Sequence, residues 1–241
     1  MAKSYSGIFK PPFRPHIQTA DSNTTTISVD CVIFGLQDYN FSVLLIKSDF
    51  PDYLGQWSLL GDIVEVDESL DAAAYRILSD RTGLDSLYLE QVKSFGTVNR
   101  HPAGRVITIA YYALVNIDQV RLVKDDNELH WHQIDQIDRL AFDHNEILDT
   151  CIRRLRDRIR SEPVGLNLLP DEFTLRDLQS LYETVLGITL DRRNFRKKFF
   201  GTGLLIDLKK QENNVRHRPA KLYSFDFEKY NQIKEESIHF I

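Results

Sequence analysis

The apolar residues between positions 70 and 78 recur at helical spacing, directly after an acidic stretch. They are Leu70, Ala73, Ala74, Ile77 and Leu78. Spacings of three and four residues put these side chains on one side, which predicts an amphipathic helix with that side buried. Ser69 is a good N-cap, and Gly83 closes the helix after Arg81 in its last turn. Residues 57–68 are predicted to form a loop before the helix.

Shorter apolar runs predict the strands of a sheet. Residues 25–34 alternate and then become continuously apolar, as in a strand buried on both faces, and residues 41–47 are its predicted hairpin partner. Residues 106–115, VITIAYYALV, form a strong β segment. Weaker strand patterns lie at 88–98 and 129–134. The predicted loops between them are residues 48–56 and 99–105.

Residues 145–160 predict a second amphipathic helix. Its apolar positions are Ile147, Leu148, Cys151, Leu155 and Ile159. The other side is rich in arginine, which is typical of a solvated face but could also add a contact to a phosphate. These arginines are Arg153, Arg154, Arg156, Arg158 and Arg160. Pro163 marks a boundary near residue 161.

The pattern beyond this boundary predicts two helices in helix-turn-helix order. Thr174 caps the first, with Asp177 three residues later, and Asp191 caps the second. In the second helix Phe195 and Phe199 lie one turn apart and point inward, so the polar residues between them project outward. Those residues are Arg192, Arg193, Asn194, Arg196, Lys197 and Lys198. Their composition is typical of a DNA-recognition helix, and the alternative is a solvated cationic face.

Two strand-like runs follow this helix, which Gly201 and Gly203 are predicted to end. Residues 204–208 and 222–225 are joined by a polar tip, KKQENNVRHRPAK. Two helices and a basic hairpin together indicate a winged helix-turn-helix. The tip residues predicted to reach phosphates or the minor groove are Lys209, Lys210, Arg216 and Arg218. Residues 226–237 predict a short surface helix.

Composition and charge agree with this two-part organisation. The net charge of −5 is an average of two regions, because residues 191–221 contain ten Lys/Arg and only three Asp/Glu. An acidic domain is therefore joined to a part suited to a polyanion. No run is apolar enough for a membrane span or a signal peptide, and neither cysteine has a C-x-x-C partner, which predicts a cytoplasmic protein.

Two smaller features leave alternatives open. His130 and His132 flank Trp131 on one strand face, which permits a metal pair, although two surface histidines around a packed tryptophan explain the spacing better. The aromatic and proline-containing residues 1–22 predict either a segment that covers the domain or a partner subunit, or a frayed tail.

Residues 57–84, WSLLGDIVEVDESLDAAAYRILSDRTGL, resemble a Nudix box, whose pattern is G-x5-E-x7-R-E-U-x-E-E-x-G-U, with U a bulky aliphatic residue. In that family the glutamates of R-E-U-x-E-E hold divalent metal ions against a diphosphate. The matching residues here are Glu68, Arg76, Leu78, Gly83 and Leu84, with Asp62 at the position of the glycine. The glutamate run, however, reads Arg76, Ile77, Leu78, Ser79, Asp80, Arg81.

The differences from the Nudix pattern lie at the positions of the glutamates that bind the metal ions. Magnesium requires several hard oxygen ligands, whereas Ile77 offers none and Arg81 brings a positive charge. Two unit charges about 4 Å apart interact by roughly 4 kcal/mol at an effective dielectric near 20. Replacing an attractive carboxylate by Arg81 therefore disfavours a bound metal ion by at least this amount. We therefore expect a Nudix frame with no catalytic residue, no cofactor and no metal, and thus no enzymatic activity. The alternative is a single metal held by Asp80, Glu68 and Glu65, with weak turnover.

With both halves considered, the chain resembles Nudix-related transcriptional regulators of the NrtR family. Runs such as NRHPAGRVITIAYYALV, RLAFDHNEIL, LLPDEFTLRDLQSLYETVLG, LDRRNFRKKF and RPAKLYSF carry the resemblance. It implies an α+β fold, with an α/β/α Nudix sandwich around a mixed sheet in residues 1–160 and a winged helix-turn-helix in residues 161–241. It also implies a homodimer that binds a palindromic double-stranded DNA operator and responds to a small-molecule effector.

The resemblance leaves three functions open. Ile77 and Arg81 disfavour a diphosphate ligand, so our first expectation is the AraR branch, a repressor of sugar utilisation genes that responds to L-arabinose. The alternatives are an ADP-ribose-sensing regulator of NAD metabolism and a Nudix pyrophosphohydrolase with an accessory domain. A sugar site needs convergent polar groups and an aromatic wall. The candidate ligand-binding residues are Trp57, Asp62, Glu65, Glu68, Arg76, Asn99 and Arg100. For Arg76 a purely structural role, bonded to loop carbonyls and acids, is equally consistent with the sequence.

Overall fold

The computed structural model describes residues 24–37, 39–83, 88–117, 129–213, 218–233 and 240. A seven-stranded mixed sheet organises the first half. The strands are β1 (Thr26–Gln37), β2 (Asn40–Lys47), β3 (Trp57–Ser58), β4 (Leu60–Ile63), β5 (Tyr88–Phe95), β6 (Val106–Asn116) and β7 (Leu129–Gln133). Their order is β3-β2-β1-β6-β5, with β4 also paired to β1 and β7 to β2. β1 runs parallel to β6, and the other pairings are antiparallel.

β1 is buried on both faces, as its apolar run predicts. Because side chains alternate along a strand, Cys31 and Ile33 contact one hydrophobic cluster, while Val32 and Phe34 contact the other. The first cluster is covered by α1 (Leu70–Thr82) and the second by α2 (His144–Ser161). The result is the expected α/β/α sandwich.

The capping residues of α1 have the predicted geometry. The hydroxyl of Ser69 accepts a hydrogen bond from the Ala72 N–H at 3.2 Å, and Gly83 has a positive φ of 69°. Tyr39, in the turn between β1 and β2, also has a positive φ, of 63°.

The segment 57–68 differs from its prediction as a loop, since it contains β3 and β4. Strands of two and four residues are too short for a periodic pattern, and their pairing with β2 and β1 defines them. The predicted strand 88–98 ends earlier, at Phe95, and β5 contains an irregularity between Gln91 and Lys93.

The second half is a winged helix, as predicted. It comprises β8 (Phe173–Thr174), α3 (Leu175–Leu186), α4 (Arg192–Thr202), β9 (Leu205–Gln211), β10 (Lys221–Phe225) and α5 (Phe227–Ile233), and its sheet order is β8-β10-β9. Thr174 and Asp177 form a reciprocal capping box. Gly201 lies within α4, contrary to the prediction, and Gly203 alone closes the helix with φ 66°.

The two halves are in direct contact. Apolar side chains of α2, including Leu155 and Ile159, and of α3, including Leu181 and Val185, belong to one continuous cluster. Arg156 on α2 also donates from Nε to the carbonyl oxygen of Val185 at 2.8 Å. No helix in the described part of the chain is long and apolar enough to cross a bilayer.

Candidate ligand cavity and nucleic-acid interface

A cleft opens beside β1 and β4 in the first half of the chain. The empty space inside it, which includes open solvent at its mouth, is about 1050 Å³. The walls come from β1, β4, the end of β2, the last turn of α1, and the segments around residues 100 and 142. The charged and imidazole side chains in the lining are Asp30, Lys47, Asp49, Asp62, Arg81, Arg100, His101 and His144.

The floor of the cleft is a network of buried charges. Arg100, whose side chain is 4% exposed, donates to both carboxylate oxygens of Asp143, at 2.7 and 2.8 Å, and lies 3.5 Å from Asp30. Gly61 is opposite Asp30 in the β1–β4 pair, and a Cβ there would collide with the Asp30 carboxylate. The backbone of β4 therefore approaches Asp30 closely. The charge of Arg100 is compensated within the protein by Asp143 and Asp30.

His144 adds a neutral imidazole to this floor. Its Nδ1 accepts a hydrogen bond from the Leu59 N–H at 3.0 Å, so the ring proton is on Nε2, which lies 3.7 Å from Asp30 Oδ1. Complete burial lowers the pKa of His144, because desolvation disfavours the imidazolium.

One wall of the cleft is aromatic. His101 stacks on Phe142 with ring centroids 5.0 Å apart and planes 9° from parallel, and Phe50 packs against His101 edge-on at 5.1 Å. Burial, followed by the charge of Arg100, lowers the pKa of His101, so this ring is also neutral near pH 7. A wall of neutral rings suits a planar, weakly polar ring system.

Arg76 binds two acidic side chains beside the cleft, Glu68 and Asp62, which are called the acidic rim below. Its guanidinium bonds Glu68 at 2.6 and 3.0 Å, Asp62 at 3.1 Å and the carbonyl oxygen of Ile63 at 3.0 Å. The bond to Glu68 is the first cause of the raised pKa of Arg76. Arg76 thus orders the loop between β4 and α1, which is the structural role that the sequence left open.

The donor set around this rim does not fit a divalent metal. Glu68 and Asp62 direct oxygens at Arg76, Ile77 is buried in the core, and Asp80 is exposed and outside the cleft lining. In the described ranges, no three His, Cys, Asp or Glu side chains are grouped closely enough to bind an ion. Magnesium needs several oxygen ligands anchored by carboxylates, and that requirement is not met here.

Only part of the predicted ligand set lines the cleft, namely Asp62 and Arg100. Glu65 and Asn99 are exposed, and Glu68 and Arg76 are engaged with each other outside the lining. Trp57 is also outside it, and its ring packs against His130 and His132 instead.

Sequence reasoning missed several lining residues. Asp30 is a polar residue inside the otherwise apolar run of β1, and this interruption was the signal that could have identified it. Phe142 and His144 lie at the start of α2, where the helix pattern drew attention to the apolar positions that follow. No local pattern identifies His101, because it enters the lining through a loop.

The histidine pair on β7 packs around a different tryptophan from the predicted one. His130 and His132 have ring centroids 5.4 and 4.3 Å from that of Trp57, and Lys47 Nζ lies 3.8 Å above the same ring. Burial, then the neighbouring His130 and Lys47 charges, lowers the pKa of His132. The pair therefore has a packing role.

The predicted recognition helix has a basic outer face. Phe195 and Phe199 of α4 are buried against Tyr182 of α3, at centroid distances of 5.9 and 5.3 Å. The six polar residues predicted to project outward, Arg192, Arg193, Asn194, Arg196, Lys197 and Lys198, are all exposed. The Asp191 side chain caps the helix by accepting from the Asn194 N–H at 2.8 Å.

Several basic residues of the β9–β10 hairpin form ion pairs with acidic residues of the protein, which the sequence alone did not predict. Asp207 pairs with Lys209 at 3.4 Å and with Lys221 at 3.0 Å, and Lys210 pairs with Glu172. Arg218 lies before β10, and Arg216 lies outside the described residues. Exposed pairs of this kind are weak, so these lysines remain exchangeable for a phosphate.

The arginines of α2 are occupied within the protein. Arg154 bonds Glu90 at 2.7 Å, Arg158 bonds Glu162 at 2.7 Å, and Arg156 bonds the Val185 carbonyl. These contacts favour a structural role over the phosphate contact that the sequence allowed.

Comparisons with known proteins match both halves. Residues 24–155 match the family model described as NUDIX domain, and residues 165–225 match that described as NrtR DNA-binding winged helix domain. The chain is similar to the ADPR responsive transcriptional repressor NtrR of Acinetobacter baylyi, with 33% identity over 225 residues, or 91% of this chain and 89% of that protein.

Two solved structures agree with these matches. Shewanella oneidensis NrtR complexed with a 27mer DNA has a TM-score of 0.74 and 30% identity, covering 83% of this chain and 93% of that one. The NUDIX domain of the same Shewanella protein complexed with ADP ribose has a TM-score of 0.50 and 28% identity, covering 55% of this chain and 89% of that one.

Proposed function

The chain belongs to the NrtR family of Nudix-related transcriptional regulators, and from that premise we propose that it is an ADP-ribose-responsive, DNA-binding repressor. Residues 1–160 form its sensor and residues 161–241 its DNA-binding domain. The observation that carries the proposal is the exposed basic face of α4, held outward by Phe195 and Phe199 in a chain that also has a cleft lined by charged and aromatic side chains.

The proposed DNA contacts divide by chemistry. Arginine and lysine on α4 can donate to guanine O6 and N7, and Asn194 can accept from adenine N6 through its amide oxygen and donate to adenine N7 through its amide nitrogen. The hairpin residues Lys209, Lys210, Arg216 and Arg218 are suited to phosphates, which position the protein on the duplex without reading its sequence.

ADP-ribose replaces L-arabinose as the proposed effector. The similar Acinetobacter repressor is named as ADPR responsive, and the similar Shewanella domain was crystallised with ADP ribose, whereas no comparison supports arabinose or control of sugar utilisation. The stacked His101–Phe142 wall also suits an adenine ring.

The repressor is proposed to act as a homodimer on a palindromic operator. Two-fold symmetry of the protein requires half-sites about one helical turn, or a multiple of it, apart. Light scattering of the free protein and footprinting of the bound operator test this part separately.

The central experiment is a titration of the protein–DNA complex. Double-stranded DNA enriched from a random library by the protein itself is labelled, and its release is followed by fluorescence anisotropy as ADP-ribose, L-arabinose or AMP is added. We expect release by ADP-ribose and none by L-arabinose. Failure to enrich any DNA would contradict the DNA-binding proposal, and release by arabinose alone would restore the sugar-sensing function.

A hydrolase with an accessory domain is the second candidate, because the NUDIX match covers residues 24–155. We propose that hydrolysis is absent, given that Ile77 and Arg81 stand where carboxylates would be needed. Chromatography of ADP-ribose incubated with the protein and magnesium should detect no AMP. Turnover that is abolished by Glu68→Gln would establish the hydrolase instead.

A further inference from the structure

Arg81 lies in the last turn of α1 and lines the cleft, with its side chain partly exposed. Its guanidinium has no hydrogen bond and no carboxylate within 4.0 Å among the residues that the structure describes. An arginine on the wall of a cleft with five unused donors is suited to an anionic ligand, since its planar fork matches phosphate oxygens.

The other cations of the lining are already engaged. Arg100 is bonded at both ends of its fork to Asp143, and Lys47 is directed over the ring of Trp57. The lining carboxylate Asp62 is bonded to Arg76, and Asp30 faces Arg100 and His144. Among the described lining residues, Arg81 is therefore the arginine whose donors are still available to a ligand.

A diphosphate needs such compensation, because it brings about two negative charges into a cleft that also contains carboxylates. A divalent metal is the usual solution, but the donor set here does not fit one. Moreover, a guanidinium at this position repels a dication.

We propose that Arg81 binds the diphosphate of the effector directly, so that effector binding needs no divalent metal. The inference rests on the proposed function, since it assumes that a nucleoside diphosphate sugar enters this cleft. Arg81 is then the residue that selects the diphosphate, while the aromatic wall of His101 and Phe142 contacts the adenine ring.

Calorimetry of the full-length protein tests both parts of the inference. ADP-ribose is titrated in EDTA and again in excess magnesium, and we expect the two dissociation constants to agree within about twofold. Arg81→Ala should weaken ADP-ribose binding by about 10- to 100-fold, the range expected for loss of charge-assisted hydrogen bonds. Arg81→Lys, which keeps the charge but not the fork, should give an intermediate loss.

Two controls distinguish this role from a general defect. Adenosine, which lacks the diphosphate, should bind the wild type and Arg81→Ala equally. Arg153→Ala removes an arginine of α2 that lies outside the cleft lining, where its guanidinium bonds Thr150, and it should bind ADP-ribose as the wild type does.

The outcomes separate the two proposals. Binding that requires magnesium, or an Arg81→Ala variant with wild-type affinity for ADP-ribose, would overturn the role of Arg81 and leave the effector assignment intact. Loss of adenosine binding together with ADP-ribose binding would show that the variant damages the cleft, and would also overturn it. No ADP-ribose binding by the wild type would overturn both proposals.

Discussion

The contacts of individual arginines determine which ligand the cleft can bind. Arg76 and Arg100 are each surrounded by acids of the protein, so both are part of the frame. Arg81, on the same helix as Arg76, differs from it only in its surroundings. Residue type alone therefore predicts little, because the partner of each arginine is fixed by tertiary structure.

Arg100→Ala should destabilise the protein strongly. It removes the compensation of partly buried Asp143 and of buried Asp30, and leaving buried charge unpaired costs about 3–5 kcal/mol. Urea denaturation measures the change. The matched substitution at exposed Arg153 should change the free energy of unfolding by less than about 0.5 kcal/mol, and equal effects at the two positions would contradict the buried role of Arg100.

His144 should make stability depend on pH. Burial lowers the pKa of His144 in the folded protein below its ordinary value of 6.5, so below that pH the unfolded chain binds the additional proton. Stability is then fully present above about pH 6.5 and falls as the solution becomes more acidic. Urea midpoints at pH 7.5 and 5.5 should show this decrease, together with contributions of the same sign from His101 and His132.

The control for this effect is His144→Gln. It can still accept the Leu59 N–H bond, but it cannot be protonated. A difference between the two midpoints as large as that of the wild type would exclude His144 as a source of the pH dependence.

At the scale of elements, periodic segments were predicted well and short pairings were not. α1, α2, α3 and the buried strands β1 and β6 each repeat over eight residues or more, and the caps of α1 and α3 have the expected geometry. β3, β4 and β8 have two to four residues and exist because a neighbouring strand offers hydrogen bonds. The cleft was predicted poorly for the same reason, since His101, Phe142 and Arg81 meet only through the chain's long-range contacts.

The recognition helix α4 gives the prediction that belongs to this scale. Arg192→Ala, Arg193→Ala and Arg196→Ala should each weaken binding to the enriched DNA by about 1–3 kcal/mol while leaving the melting temperature unchanged. Anisotropy titrations at one fixed salt concentration make the comparison. Arg153→Ala on α2 serves as the control, and unchanged affinity in all three α4 variants would exclude this face from the interface.

At the scale of the molecule, the hairpin of β1 and β2 connects the two halves. Its turn residue Tyr39 donates from its hydroxyl to Asp177 at 2.9 Å, and its carbonyl accepts from the Thr184 hydroxyl at 3.1 Å. Both partners are on α3. The far end of β2 leads to Lys47 and Ser48 in the cleft lining, so a single strand joins the sensor to the winged helix.

Tyr39→Phe should reduce communication between the halves without damaging either. It removes the hydroxyl bonded to Asp177 and keeps the aromatic ring near Arg176. We expect unchanged affinities for ADP-ribose alone and for DNA alone, and a smaller change in DNA affinity on addition of ADP-ribose. A change in coupling of as little as 1 kcal/mol corresponds to about fivefold. Coupling equal to that of the wild type would exclude the Tyr39 contact.

The hairpin also has a genetic consequence. Selection for mutants that repress normally but ignore the inducing signal should recover substitutions in residues 39–45, which line neither the proposed DNA interface nor the cleft. Such alleles would behave as permanently repressed, and their positions along one strand would mark the route by which the signal travels.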